Sequence, residues 1–470
     1  MSPLPGARWR LPLLAVGLLG GCAGFSPDGG FDAVASAARP HLAQEAAWAR
    51  TPEQRRALDA RVAELLREPL SADAAVQVAL FNNRELQAAL HGLGIAEAEL
   101  VQAGRLPDPV LALGRFVRGD ERELERSLHF SLAGLIGLPR ATALAKARFA
   151  QVQRESTLQL LTLATETRKA WVQAVAADES LHYARQVQDA ADAGAELARR
   201  LAAVGNWNAL NLAREQRYAA EAALGVATAR RAQVGARERL TRLLGLWGEQ
   251  TAFRLPDRLP ELPRDLPDPP ALEQRAMASR LDVQAAQLAV DAQAERLGLT
   301  RTGRWANGLE LGLASNRSNE APTQRGVEIA IALPLFDGGA GQRARDAALL
   351  EQARERAAQT AIDARSQVRE AWQAWRLAHD IARQHREALV PLATRINDEQ
   401  LLRYNGMLIG VFELLAEARL QVAAVNASLA AQRDFWLADA DLQMAMVGRP
   451  TASTPSTAGP VATAEPAAGH

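Results

Sequence analysis

Cysteine is nearly absent: the 470 residues contain one, Cys22. That excludes an internal disulfide framework and any cysteine-cluster metal site. Net charge is absent as well, with 54 Lys+Arg against 54 Asp+Glu, so no bulk electrostatic attraction draws the chain to nucleic acid or to an anionic membrane. Aromatic residues make up only 5% of a chain that is 48% hydrophobic. The apolar content is mostly Ala, Leu and Val, which favours long, closely packed helices over a thick core. Beyond the N-terminal segment there is no run of about 18 uncharged apolar residues, so no transmembrane helix is expected. A chain of this kind that enters a membrane must do so through a closed β-barrel.

Chemistry-bearing clusters are missing too. The seven histidines, His41, His91, His129, His182, His379, His385 and His470, include no i,i+3 or i,i+4 pair and no HExxH, so helical metal sites lack ligands. The methionines after Met1 are too scattered for a soft-metal relay. Asp337-Gly338-Gly339-Ala340-Gly341 lacks the GK[ST] ending of a phosphate loop and reads as a helix cap. Ser127 and His129 read as part of a polar row. No enzymatic activity, cofactor, metal or nucleic-acid partner is expected.

What is present begins with an address. Arg8 and Arg10 precede a short apolar run, Leu11 to Gly21, too short to span a bilayer. This predicts a secretory signal over 1–21. The run ends Leu19-Gly20-Gly21-Cys22, which resembles a bacterial lipobox with Cys22 as the lipidated residue; a plain signal peptide with an incidental cysteine is the alternative. Ala23 follows, so the usual inner-membrane retention aspartate is missing. Residues 22–70 are expected to form a lipidated tether, Gly/Ala-rich over 23–45, and an equatorial segment.

From Ser71, a plausible N-cap with Asp73, the pattern is helical until Pro107 and Pro109 stop it near Arg105. Two period-two segments follow, about 109–118 and 124–133, with Gly119 to Glu123 as a solvated turn between them. After Pro139 a helical stretch runs to Val204. As one helix it would reach roughly 100 Å at about 1.5 Å per residue. Gly205-Asn206 breaks it, and a second helix continues to about Trp247. The proline-rich stretch 253–270 reads as a connector. The pattern then recurs over 271–448, with strands at about 309–316 and 326–333 and a helical hairpin over about 338–447, broken at Asn405-Gly406. Gln87-Ala88-Ala89 and Gln284-Ala285-Ala286 stand 197 residues apart. The chain therefore reads as an internal duplication, 71–252 and 271–448, followed by a Thr/Pro/Ala-rich tail over 449–470 expected to be disordered.

Val327, Ile329, Ile331 and Leu333 share one strand face; Glu328, Ala330 and Ala332 share the other. That is the pattern of a lipid-facing barrel strand, although a soluble sheet with one buried face would share it. Four strands cannot close a barrel, since even small transmembrane barrels use about eight. If these strands enter lipid, several chains must share one barrel.

The stretches Ala79-Leu80-Phe81-Asn82-Asn83-Arg84-Glu85-Leu86-Gln87-Ala88-Ala89, Arg280-Leu281-Asp282-Val283-Gln284-Ala285-Ala286 and Leu333-Pro334-Leu335-Phe336-Asp337-Gly338-Gly339 resemble the TolC-like outer membrane efflux factors. With Cys22 they resemble the lipoprotein branch of that family. The resemblance covers roughly Ser71 to Gly448. It implies a mainly α fold with a small membrane β part, in which each chain of a homotrimer gives four strands to a twelve-stranded β-barrel and its helices to a periplasmic α-barrel. It implies a passive outer membrane duct of a tripartite efflux or secretion system, surrounded by outer membrane lipid and served by a periplasmic adaptor and an inner membrane transporter. The tips that meet the adaptor would be Val204-Gly205-Asn206 and Asn405-Gly406-Met407. Places that are acidic in many relatives fall, counted from glycine, on Phe412 and Leu415, so an apolar pore constriction is expected there; simple packing between helices is the alternative. A non-conducting periplasmic coiled-coil lipoprotein scaffold is the competing reading of the whole chain.

Overall fold

The computed structural model describes residues 24–264, 266, 271–306, 309–331 and 338–450. The expected signal 1–21, Cys22, part of the proline-rich connector, residues 332–337 and the tail beyond 450 lie outside the described residues. The first half runs α1 (Phe31–Ala38), α2 (Pro52–Leu65), α3 (Ala72–Asn82), α4 (Arg84–Ala103), β1 (Val110–Arg118), β2 (Glu121–Ser131), α5 (Leu132–Ala203) and α6 (Ala209–Leu244). The second runs α7 (Leu272–Ser279), α8 (Leu281–Ala306), β3 (Glu310–Ser318), β4 (Gln324–Ala330), α9 (Ala340–Gln384), a π-helical turn (His385–Leu389), α10 (Val390–Asn405) and α11 (Val411–Ala445). None of the described helices is long and apolar enough to cross a membrane.

Helix α5 has 72 residues and is about 108 Å long at about 1.5 Å per residue. It starts seven residues before Pro139, which lies inside it. The second proline in a long helix, Pro391, has a visible consequence. A proline has no N–H to give to the preceding turn, and the helix widens just before it: the Val390 N–H reaches the carbonyl of His385, five residues back.

The helix expected over about 71–105 is two helices. Ser71 caps the first, its Oγ accepting from the Ala74 N–H at 3.1 Å. The break falls at Asn83, with φ −64° and ψ 118°. In the second half the same break falls at Arg280, with φ −64° and ψ 120°. The two residues do one job by different chemistry. Asn83 accepts from the Leu86 N–H at 2.9 Å, capping α4, while its Nδ2 donates to the Leu243 carbonyl at 2.9 Å. Arg280 is fully buried; its Nη1 donates to the Ala445 carbonyl at 3.0 Å and its Nη2 to Asp282 at 2.6 Å. Each break thus satisfies a carbonyl that the end of a long helix leaves without a partner.

The packed core lies at this level. Trp171, Val172 and Val175 of α5 meet Phe81, Leu240, Leu244 and Phe253. An adjoining cluster gathers Val34, Trp48, Leu80, Leu93, Leu160 and Met444. The described part of the stretch read as a tether is therefore folded against the helices: Val34 and Ala38 of α1 are buried, and the Ser26 N–H donates to Glu97 Oε1 at 2.6 Å.

The two hairpins merge into one antiparallel sheet in the order β1-β2-β3-β4. Since β2 pairs with β3, both hairpins sit at the same end of the long helices. Arg118 pairs with Glu121, leaving a two-residue turn in which Gly119 has φ 62°. Glu121 to Glu123, expected in a solvated turn, are strand. Their charges alternate with period two, which fits an extended chain as well as a loop.

Gly245 ends α6 at φ 66°, and a Cβ there would lie 2.7 Å from the Asn82 carbonyl oxygen. Gly245→Ala is expected to destabilise the fold by about 2 kcal/mol. Gly225→Ala, within α6 and with nothing within 4 Å, should instead stabilise it by about 0.5–1 kcal/mol. Thermal unfolding of the two variants checks the contrast.

Candidate functional site

The strand registers turn the period-two pattern into two continuous faces. Leu111 pairs with Leu128, Leu128 with Leu313 and Leu313 with Val327. Phe130, Leu311 and Ile329 form the next row on the same side, toward the helices. Toward the turns this face carries Leu113, Arg126, Ser315 and Arg325, then Arg115, Leu124 and Arg317, then Val117 and Arg122. The opposite face holds Ser127 and His129, whose side chains hydrogen-bond at 2.9 Å, with Gly312, Ala314, Asn316 and Gln324. It also holds Glu121, Glu123, Glu125, Glu310 and Glu328, against one arginine, Arg118. Asn316 donates to Glu123 across the β2–β3 pair.

Charge is thus sorted by face: the five glutamates on one, five arginines on the other. Sequence reading found the apolar face and the Ser127–His129 row and missed this sorting. The signal was present in Glu121-Arg122-Glu123-Leu124-Glu125-Arg126, but it becomes legible only once the segment is known to be strand. The outer backbone edges of β1 and β4 have no strand partner among the described residues.

At the far ends of the helices both tips have the same backbone design. After α5, the Gly205 N–H bonds to the Ala202 carbonyl and the Asn206 N–H to that of Leu201, with Gly205 at φ 79°. This is a Schellman ending. After α10, the Met407 N–H bonds to Tyr404 and the Leu408 N–H to Arg403. Here the left-handed residue is Met407, at φ 57°, while Gly406 is at φ −80°. Gly406, at the predicted break, therefore does not take the left-handed position. Met407 matches Gly205, and the side chain there is 93% exposed. The following helices keep that match, with Asn208 capping α6 and Gly410 preceding α11.

Phe412 is half-buried and stacks on Trp207, ring centroids 4.3 Å apart, which ties the two tips together. Leu415 is also half-buried. Further from the tips, α6 and α11 are joined by an ion pair whose carboxylate is buried and whose arginine is partly exposed. Arg419 Nη2 lies 2.7 and 2.8 Å from the two carboxylate oxygens of Glu215, which is 3% exposed. The same guanidinium lies over the Tyr218 ring at 4.0 Å. Burial pushes the Tyr218 hydroxyl above its ordinary pKa, an effect that Arg419 opposes.

Among curated proteins, the chain is 27% identical over 284 aligned positions to the cobalt-zinc-cadmium resistance protein CzcC of Cupriavidus metallidurans. The match covers 58% of this chain and 65% of that relative, so the chain spans less than two thirds of the relative's length. No known family profile matches the chain. Solved structures similar to it include the outer-membrane channel OprN, with TM-score 0.69, 17% identity and coverage of 82% of this chain and 91% of that one. The CmeC outer membrane channel of Campylobacter jejuni has TM-score 0.67 and 14% identity, covering 86% and 89%. The chain has the TolC-like fold of these outer membrane channels.

Arg419→Ala removes the partner of a buried carboxylate and is expected to cost about 3 kcal/mol. Replacing Glu215 by Gln in the same chain should recover part of the loss, as a double-mutant cycle of thermal unfolding would read.

Proposed function

We propose that the chain is the outer membrane duct of a tripartite export system, anchored by lipid at Cys22 and assembled as a homotrimer. One observation carries this reading: a sheet with apolar rows at the helix end of one face and a polar, acidic opposite face has no strand partner at either outer edge among the described residues. In lipid each unpaired N–H or C=O costs several kcal/mol. Three copies of the four-stranded sheet pair β4 of one chain with β1 of the next and close a twelve-stranded barrel, with the leucine rows outside and the acidic face within.

The helices support the same assembly. Leu377, Ile381, Leu392 and Ile396 along α9 and α10, with Leu210, Leu224 and Val234 on α6, are exposed in a single chain. Neighbouring copies in a ring of helices bury such stripes. Val204-Gly205-Asn206 and Asn405-Gly406-Met407 are the docking tips for a periplasmic adaptor, and an inner membrane transporter supplies the cargo and the energy. Val204, Met407 and Leu408 are 71%, 93% and 77% exposed, which suits a partner rather than a core. The duct itself is passive and not an enzyme.

The cargo follows from the inner face. Five glutamates against one arginine per chain give the barrel a negative lining, and a low-dielectric wall focuses that field. Cations pass it most readily. The relative named for cobalt, zinc and cadmium resistance agrees with that cargo class. At the tips, the Trp207–Phe412 stack and Leu415 narrow the duct as an apolar constriction.

Detergent-extracted protein should have the mass of three protomers. In planar bilayers it should form cation-selective channels whose selectivity falls when Glu121, Glu123, Glu125, Glu310 and Glu328 are changed to Gln. Phe412→Ala should raise the conductance. A stable monomer that forms no channel would sink the proposal, and unchanged conductance in Phe412→Ala would remove the constriction.

A further inference from the structure

The arginine face of the sheet is not explained by a duct. A barrel needs an apolar exterior, yet Arg115, Arg122, Arg126, Arg317 and Arg325 share the face that carries the leucine rows. All five are exposed. No carboxylate stands on that face of the paired strands, and no ion pair among the described residues engages any of the five.

Their position along the strands is one-sided. The rows nearest the helices, Phe130-Leu311-Ile329 and Leu111-Leu128-Leu313-Val327, are wholly apolar. Every arginine lies nearer the hairpin turns. Alternate residues are about 6.8 Å apart along a strand, which is about 5 Å of height per row at a tilt of about 40°. The arginine rows therefore begin about 10 Å above the Phe130 row and reach about 20 Å above it. An outer membrane barrel carries an apolar band about 25 Å tall. With that band starting at the helix end of the sheet, Arg126 and Arg325 fall near its middle and reach upward along their own stems. Arg115 and Arg317 lie in its outer half and Arg122 near its distal edge, with the distal headgroups within reach of their long stems. Arginine on a lipid face is unfavourable at the midplane and nearly neutral at the interface, so the pattern makes sense when anions meet the guanidiniums there.

We propose that this face binds the phosphate groups of anionic lipids in the leaflet toward which the hairpin turns point. The inference rests on the sheet being part of a membrane barrel. Planar guanidiniums meet phosphate oxygens through paired, charge-assisted hydrogen bonds. Three rows staggered in height present them to a layer of phosphates rather than to one bound ion. In a closed trimer the arginines of the three sheets form a belt, so the contact is with the surrounding leaflet.

The test uses the full-length protein and a variant carrying Arg115→Gln, Arg122→Gln, Arg126→Gln, Arg317→Gln and Arg325→Gln. Both are inserted into phosphatidylcholine vesicles with or without diphosphoryl lipid A, and into vesicles with the dephosphorylated lipid. Lipid retention by native mass spectrometry and thermal unfolding in the vesicles are the readouts. The wild type should retain the diphosphoryl lipid and unfold at higher temperature in its presence. Retention should fall about fivefold per arginine removed and weaken with salt. The variant should insert into pure phosphatidylcholine at least as well as the wild type. Equal retention by the two proteins, or equal stabilisation by the dephosphorylated lipid, would overturn the proposal. So would a full effect of inorganic phosphate added to phosphatidylcholine vesicles, which would point to a free anion instead. Failure of the wild type to insert into any vesicle would overturn the membrane reading beneath it.

Discussion

Backbone groups that cannot find a partner inside their own element govern this fold. A helix leaves its last carbonyls open and a sheet leaves its outer edges open. At the helix breaks the chain closes the account internally: Asn83 reaches the end of α6 and Arg280 the end of α11. At the tips it does so with Schellman turns. At the sheet it does not, because four strands have two outer edges and no further strand among the described residues covers them. The first two solutions let one chain fold; the third makes it depend on copies of itself if the sheet is to enter lipid. The long exposed helix stripes point the same way, since an α-helix without a thick core must bury its apolar face on a neighbour.

The two halves preserve geometry more faithfully than residues. Asn83 and Arg280 hold the same break, with ψ of 118° and 120°, by a short amide in one case and a buried guanidinium in the other. Gly205 and Met407 hold the same left-handed position. A glycine there is nearly free of strain, whereas a methionine costs about 1 kcal/mol or more. The second tip therefore accepts strain to place a long, flexible, apolar side chain where it is 93% exposed. Backbone hydrogen bonds fix what must recur, and side chains vary wherever another donor can serve the same carbonyl.

That explains which parts were legible in the sequence. Alternation in Ser127 to Ala133 and Val327 to Leu333, the long proline-poor helices and the recurrence near 200 residues are all periodic signals, and periodicity survives substitution. The breaks at Asn83 and Arg280 were hidden, because both lie in helix-compatible sequence and are set by hydrogen bonds to residues about 160 positions away. The π turn before Pro391 was hidden because a proline in a long helix does not announce how the helix will absorb it. At the second tip, glycine was the wrong marker: Gly406 sits one residue before the left-handed position, and only the hydrogen bonds of Met407 and Leu408 reveal the register. The folded stretch around Val34 was read as a tether because glycine and alanine look alike in linkers and in close packing.

The balance of charge was the most misleading signal. A formal charge of zero correctly excludes a bulk field, yet it says nothing of how charge is arranged. Strand periodicity sorts residues by parity, so Glu121, Glu123 and Glu125 go to one side and Arg122 and Arg126 to the other. β3 and β4 then add Glu310 and Glu328 to the acidic side and Arg317 and Arg325 to the basic side. The sum stays near zero while each face carries nearly one sign. Within about a Debye length, some 8 Å at physiological salt, a molecule touching one face meets that face's charge and not the total. A sheet about 10 Å thick with its side chains can therefore be negative toward a lumen and positive toward headgroups at once. Two surfaces of opposite character are built from one neutral stretch of chain, and it is the one-residue alternation of an extended backbone that keeps them apart.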